Sequence, residues 1–371
     1  MTRTSAPSIE VVIPNAPAIP GLRFRRPVGP ADYQPMLEVY SAASMADGLD
    51  EVLTLADMAS FFEAPLGFDP AQDVLIAEVD GRVVAYGWVS HKLESGGDNA
   101  SYPGGDREGS PKHSGGDREV SPKRSGGDEV HSHRGYVDPA WRRRGLGDAI
   151  LRQAWRRASQ FQMSPDPDAP RLLQTLALDT EAGAQALARH FAYAPTRMMF
   201  KMRRDLADPI PQRPLPAGIE VRPALPEHRR LIWEAQREAF QDHWGYAPWP
   251  EEAYQRFLRF PHFDPALWRI AWEGDQIVGT VLSYINQDEN RTYRRRRGYT
   301  EDIAVRRPWR RRGLAGALIA RSLEALKAEG MDEAALGVDA ENRTGALRLY
   351  EGLGYTVVQT WTVFRRPLPG A

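Results

Sequence analysis

With 42% hydrophobic side chains, a chain of 371 residues can bury sizeable cores, and its length predicts two or three domains. Formal net charge is only −1, so the arginine clusters are local features and a general nucleic-acid binder is not indicated. Cysteine is absent, which excludes disulfides, thiolate nucleophiles and Cys-based metal sites; the eight histidines show no metal-ligand spacing, so no metal is expected.

Residues 1–19 are rich in proline without periodicity and predict a loose arm. The first domain is expected over 20–205, starting near Leu22. It opens with helical stretches from Ala31 and Leu53, then the strand runs VLIAEV and RVVAYGWVS around the Asp80-Gly81 turn. From 94 to 128 an SGGD-type micro-repeat without core-forming residues predicts a disordered insertion. A strand into Val137, the segment WRRRGLG (Trp141–Gly147) with a helix from Gly145, a strand near Leu172–Leu178 and a helix over Ala182–His190 complete it. A proline-rich linker over 206–217 leads to a second domain over 218–371 with the same order. It has a strand at Ile219–Arg222, helices near Pro226 and Pro250, and a hairpin around Gly274-Asp275. A strand over Tyr299–Val305 and the echo WRRRGLA (Trp309–Ala315) follow, with a helix to Glu329. Strand Ala334–Val338, helix Thr344–Leu353 and two closing strands to Phe364 end the chain. The expected fold is α/β (α+β): two tandem domains, each a mixed central sheet flanked by helices. No run approaches the roughly 18 apolar residues of a membrane helix, and no signal peptide is recognisable; a soluble, cytoplasmic protein is the expectation, with a monomer the simplest oligomeric state.

The echo is electrostatically odd. A helix N-terminus carries about half a positive charge and unpaired N–H groups, so Arg142, Arg143 and Arg144, or Arg310, Arg311 and Arg312, sit where an anion is missing. Gly145 and Gly147, or Gly313 and Ala315, leave room for backbone to wrap a phosphate, and pyrophosphate fits best. The alternative is pairing with acids such as Asp148 on a solvated face; two copies in matching context favour the anion.

In the second copy, alternation puts Tyr299, Glu301, Ile303 and Val305 on one strand face and Thr300, Asp302 and Ala304 on the other. Glu301 among apolar neighbours predicts a raised pKa, as a general base needs; a salt bridge to Arg296 is the alternative. Downstream, Ala346, Leu349, Tyr350 and Leu353 have core spacing, Asn342 suits a helix cap and Gly354 a helix stop.

The run EDIAVRRPWRRRGLAGAL (Glu301–Leu318), followed by Asn342, Ala346, Leu349, Tyr350, Gly354 and Tyr355, resembles the GNAT superfamily of acyl-CoA N-acyltransferases. It joins an R-x-x-G-x-G/A loop (Arg310, Gly313, Ala315) to the later N-x-x-x-A-x-x-L-Y segment. The resemblance implies acetyl-CoA as cosubstrate, with Arg310, Arg311, Arg312, Gly313, Leu314 and Ala315 at its pyrophosphate. It places Ile303, Ala304 and Val305 along the pantetheine, Asn342 at the cofactor arm, Glu301 as base and Tyr350 as proton donor to the departing thiolate. The whole chain resembles tandem GNAT proteins of the mycothiol synthase type, in which one copy catalyses. The first copy keeps Arg142, Gly145 and Gly147 but has His133, Thr180 and Ala188 where the second has Glu301, Asn342 and Tyr350, which implies a degenerate role.

By the same resemblance, AFQDHWGY shapes an acceptor pocket, with Phe240, Asp242, His243 and Trp244 as candidates, Asp242 holding a cation and Trp244 forming a wall. The implied acceptor is a primary amine of a small molecule or peptide. Two rival readings are a non-catalytic acyl-CoA sensor and, from TYRRRRGYT (Arg294–Arg297), a module for nucleic acid or an acidic partner.

Overall fold

The computed structural model describes residues 10–63, 65–95, 127–342 and 344–368. Most of the micro-repeat, 96–126, and the first nine residues of the expected arm lie outside the described residues. Two halves repeat one element order. The first runs β1 (Leu22–Arg25), α1 (Tyr33–Asp47), α2 (Leu55–Glu63), α3 (Pro70–Asp73), β2 (Val74–Val79), β3 (Arg82–Glu94), β4 (Asp128–Val137), α4 (Leu146–Ser159), β5 (Arg171–Leu178), α5 (Ala182–His190) and β6 (Ala194–Asp205). The second runs β7 (Glu220–Arg222), α6 (Arg229–Ala239), α7 (Glu251–Leu258), β8 (Arg269–Glu273), β9 (Gln276–Tyr284), α8 (Gln287–Tyr293), β10 (Arg297–Val305), α9 (Leu314–Ala328), β11 (Glu333–Asp339), α10 (Ala346–Glu351) and β12 (Thr356–Pro367). Among the described residues no helix is long and apolar enough to cross a membrane.

Local chemistry explains the early elements. Asp80 and Gly81 both take positive φ (50° and 81°), the requirement of a tight hairpin between two right-twisted strands. In α9, Leu314, Leu318 and Leu326 recur at helical spacing and enter the core with Val278 and Val281 of β9 and Leu336 of β11. Burying each such leucine contributes about 2 kcal/mol.

The halves do not form separate sheets. One twelve-stranded sheet runs β1-β2-β3-β4-β5-β12-β6-β11-β10-β9-β8-β7. Only β4–β5 and β10–β11 are parallel, and each half's last strand pairs with the penultimate strand of the other half: β12 with β5, and β6 with β11. The two last strands also pair with each other. The exchange removes two sheet edges that separate domains would expose. It also sends Phe364, 2% exposed, from the chain's end into a first-half cluster with Leu173, Phe191 and Tyr193. In place of the two closing strands expected, β12 is one strand of twelve residues with two register shifts, continuous because its pairing with β6 (Thr356–Arg365) overlaps its pairing with β5 (Trp361–Pro367).

The expected loose arm is corrected over 10–19. Val11 N–H donates to Phe24 O at 2.8 Å, Ile13 is buried, and Ile19 packs on the same cluster. The linker does likewise in the other half, with Ile210 and Leu215 on the core under α9. The two segments are copies: IPNAPAIPGLRFR (Ile13–Arg25) and IPQRPLPAGIEVR (Ile210–Arg222) align residue for residue, and Gly21 and Gly218 both adopt left-handed φ, 72° and 79°.

The exchanged strand β6 carries Lys201, whose ammonium is buried against Asp50 and lies 3.7 Å from Glu51. Arg295 and Arg297 also bind Asp50, at 2.8 and 2.6 Å. Burial opposes the charge on Asp50, but Lys201 and Arg297 outweigh it and hold the carboxyl well below the usual range. Two arginines of the basic loop are thereby turned inward, Arg295 also reaching Glu289 and Arg297 reaching Glu333, while Arg296 pairs with Asp332 on the surface and Arg294 is exposed. Lys201→Met is expected to destabilise the fold by about 3 kcal/mol, the low end for breaking a buried pair because Asp50 keeps two arginines. A urea midpoint equal to that of the unsubstituted protein would show that the arginines suffice.

Candidate active site

The two arginine-rich loops are conformational twins. Each leaves its strand through one tight turn, Pro139–Trp141 or Arg307–Trp309. Each then puts Arg143 or Arg311 at φ 61° or 60°, and Gly145 or Gly313 at φ 86° or 82° as the residue capping α4 or α9. Neither cap uses a side chain, so the first N–H groups of each long helix face outward as an anion cradle.

Arg142 and Arg310, expected at a phosphate, do something else. Arg310 donates to Val305 O (2.9 Å) and Ala239 O (3.0 Å) and pairs with Asp242 at 2.5 Å; Arg142 repeats this on Val137 O, Ala43 O and Asp47. Each bolts its loop to the end of the half's first helix. Asp242, expected to hold an acceptor cation, is accordingly taken by Arg307 and Arg310, and the Arg307 hydrogen bond above all holds its carboxyl down to about 2. The arginine left for an anion is Arg311, exposed and without a partner among the described residues, while Arg312 lies 3.7 Å from Glu273. Leu314 is buried and can serve the cradle only through its backbone.

The halves differ beside the cradles. In the second half β10 and β11 pair only over Arg297–Tyr299 and Glu333–Ala335 and then part. Glu301 spans the opening, accepting from Gly337 N–H at 2.9 Å. A bulge against β9 between Glu301 and Ala304 puts Asp302 at φ 48°. Ile303 and Val305 stay half-buried against the core that holds Tyr350, and Ala304 is buried. In the first half β4 pairs with β3 without a bulge, and the opening toward β5 is filled. There the Arg134 guanidinium donates to Leu176 O and to Glu181 at 3.0 Å. His133, in the place of Glu301, is bound to the Tyr193 hydroxyl at 2.7 Å, which also accepts from Trp155. Pro17 lies over the first cradle, 3.1 Å from where a Gly145 Cβ would stand; a Cβ on Gly313 meets nothing within 4 Å, and Gly147 faces Leu187 at 3.5 Å.

Glu301 and Asp302 lie where water can reach but protein surrounds them. Desolvation, then the neighbouring Asp302, pushes Glu301 up to about 8, and desolvation pushes Asp302 up to about 6. The salt bridge to Arg296 does not form, since Arg296 is on Asp332. Tyr350 on α10 is 6% exposed; burial and then the nearby Glu301 raise its pKa, so it stays a neutral phenol able to give a proton. Asn342 acts as a turn cap, accepting from Thr344 N–H at 2.8 Å, which sets the entry to α10.

A cleft of about 940 Å³ lies beside β10, lined by residues of both halves. Phe240, His243 and Trp244 line it. The Trp244 ring is backed by the guanidinium of Arg365, 4.2 Å from its centroid. Trp233, Trp249, Tyr284 and Asp302 also line it, as do Leu66, Lys92 and Leu93 of the first half, all missed by sequence reasoning. Asp302 was visible beside Glu301, but regular alternation gave no hint of the bulge.

Residues 229–355 match the acetyltransferase (GNAT) family. The chain is 28% identical over 344 residues to the mycothiol acetyltransferase of Geodermatophilus obscurus, covering 91% of this chain and 96% of that one. It is 31% identical over 230 residues to the mycothiol acetyltransferase of Thermobispora bispora, covering 61% and 72%. A solved GCN5-related N-acetyltransferase from Sphaerobacter thermophilus superposes with a TM-score of 0.65 at 26% identity, over 97% and 98% of the chains.

Proposed function

The chain belongs to the GNAT acetyltransferase family, in its tandem form, and from that premise we propose that the second half transfers an acetyl group from acetyl-CoA to a primary amine. The observation that carries this is the contrast between the two grooves. Beside the second cradle the strands part around Glu301 and Tyr350, whereas Arg134 and the His133–Tyr193 pair fill the corresponding space in the first half. The first half then serves as scaffold and as one wall of the acceptor cleft.

The residues present fit acetyl-CoA. The cradle of α9, with open space at Gly313 and the free Arg311, suits a pyrophosphate, and the parted strands β10 and β11 suit an extended amide arm beside Ile303 to Val305, with Asn342 near its far end. When bound, that cosubstrate supplies an activated thioester. A free amine has a reference pKa of about 10.4 and arrives as ammonium. Glu301, titrating near 8, takes that proton directly or through water, freeing the nitrogen lone pair to bond the acetyl carbon. Tyr350 gives its proton to the sulfur as the carbon–sulfur bond breaks, and the phenolate so formed takes the second proton from the nitrogen, directly or through water, so the products leave as neutral amide and thiol and the ammonium's first proton leaves from Glu301 to solvent. No covalent enzyme intermediate is required, in keeping with a chain that has no cysteine.

The curated relatives carry mycothiol in their names; for this chain the proposed acceptor is a small-molecule or peptide amine. Thiol release from acetyl-CoA across a panel of amines, with mass identification of the product, tests the reading. Tyr350→Phe is expected to lower kcat by about 10²-fold while leaving the acetyl-CoA dissociation constant within twofold. Unchanged turnover would remove Tyr350 from the reaction, and failure to bind acetyl-CoA at all would sink the proposal.

A further inference from the structure

The cleft between the halves has one acidic side chain on its lining, Asp302, and among the described residues its carboxylate makes no hydrogen bond or ion pair; only its backbone oxygen is engaged, by Gln236 and Thr280. The bulge takes Asp302 out of the regular ladder. The same cleft is lined by the rings of Trp233, Trp249, Phe257, Phe263, Trp268 and Tyr284. Of the cleft's other charged groups, Lys92 is spent on Glu94 (2.8 Å) and Gly245 O (2.9 Å), while Arg256 lies over the Phe61 ring at 5.1 Å without an acidic partner among the described residues. The lining also carries the imidazoles of His91, His243 and His262 and the hydroxyls of Tyr246 and Tyr284; of the remaining polar side chains Gln236 is bonded to Thr280 and the Asp302 carbonyl, Ser90 to Ser132 O, and the Ser283 hydroxyl is buried without a partner.

An unpaired carboxylate in an apolar, ring-walled cleft selects for one ligand chemistry. It attracts one ammonium group, and the ring faces stabilise both that cation and the apolar body behind it. A polyol would set most of its hydroxyls against ring faces, which offer no strong hydrogen bond, at about 1–3 kcal/mol for each one left unpaired. A polyamine would bring a second cation with no second carboxylate to meet it. The volume, about 940 Å³, exceeds what a single-ring amine fills and reaches into residues of both halves.

Resting on the reading of the second half as catalytic, we infer that the acceptor is a primary amine on an extended, apolar, ring-bearing body, its ammonium docked on Asp302 before Glu301 takes the proton. Asp302 is thus the acceptor anchor, and the first half helps to set specificity through Leu66 and Leu93.

The test compares kcat/KM for acetylation of L-phenylalanine 2-naphthylamide and tryptamine with that for spermidine and glucosamine. The ring-bearing amines are expected to lead by about 10-fold or more, the scale on which apolar pockets discriminate. Asp302→Asn, which tolerates left-handed φ as aspartate does, is expected to raise KM for the naphthylamide about 10-fold, with kcat changed less and the acetyl-CoA dissociation constant unchanged. Spermidine or glucosamine turning over as well as the ring amines, or an unaltered KM in the variant, would overturn the assignment while the acetyltransferase reading stood. If none of the four is acetylated, calorimetric titration with the naphthylamide decides: saturable binding weakened by Asp302→Asn supports the site, and no binding overturns it. Absence of acetyl-CoA binding would instead mark failure of the catalytic reading.

Discussion

Glu301→Gln is expected to lower kcat/KM by about 10²- to 10³-fold, with acetyl-CoA affinity nearly unchanged. The glutamine keeps the shape and an oxygen that can still accept from Gly337 N–H, so the parted strands keep their geometry while the base is lost. The pH dependence identifies the group. With Glu301 at about 8, the basic form grows as pH rises, so kcat/KM should climb toward a plateau above that value, and the climb should vanish in the variant. Stability should move the other way. The folded-state pKa lies above the reference 4.5, so the folded protein binds the extra proton between those values and loses stability as pH rises through about 8. Glutamine does not ionise; the variant should therefore match the parent in urea below pH 4.5 and exceed it above pH 8. A variant that is slower yet no more stable at high pH would mean that Glu301 is solvated in the folded state and its pKa is not raised.

Much of this site was legible in the sequence because its signals are local. The twin loops are written in WRRRGLG and WRRRGLA, and their φ values agree within a few degrees. Glu301 and Tyr350 sit in runs whose spacing fixed their elements. What was not legible depends on distant partners. Strand exchange leaves no mark on β6 or β12, since a strand buried between two neighbours has the same composition whichever half supplies them. The carbonyls of Ala43 and Ala239 that occupy Arg142 and Arg310 become visible only when the helix ends are placed. The arm concealed itself behind prolines, although the Ile-Pro frame shared by Ile13 and Ile210 was there to be aligned. Asp302 was assigned by strict alternation, which holds for a regular ladder and fails at a bulge.

Gly313→Asp is expected to weaken acetyl-CoA binding by about 100-fold and abolish activity at ordinary concentrations, without unfolding the protein. Gly313 caps α9 at φ 82°, a conformation aspartate accepts better than most residues, and a Cβ there meets nothing within 4 Å. Aspartate is also among the best residues to precede a helix, because its carboxylate accepts from the free N–H groups of the first turn. The substituted side chain thus fills the anion cradle with the protein's own charge. Two charge-assisted hydrogen bonds lost to a pyrophosphate, at about 1.5 kcal/mol each, correspond to the 100-fold change. A side chain at this φ costs about 1 kcal/mol, so the melting temperature should fall by only a few degrees, which separates this effect from misfolding. Charge reversal in the twin loops then tells which cradle is used, since Arg311 and Arg143 share their φ and both are exposed. Arg311→Glu should weaken acetyl-CoA binding about 10-fold, whereas Arg143→Glu should change neither affinity nor a calorimetric stoichiometry of one, because Pro17 and Arg134 already stand in the first half's groove. Two molecules bound per chain, reduced to one by Arg143→Glu, would show that the arm and Arg134 yield to the ligand and that the first half is a second acetyl-CoA site.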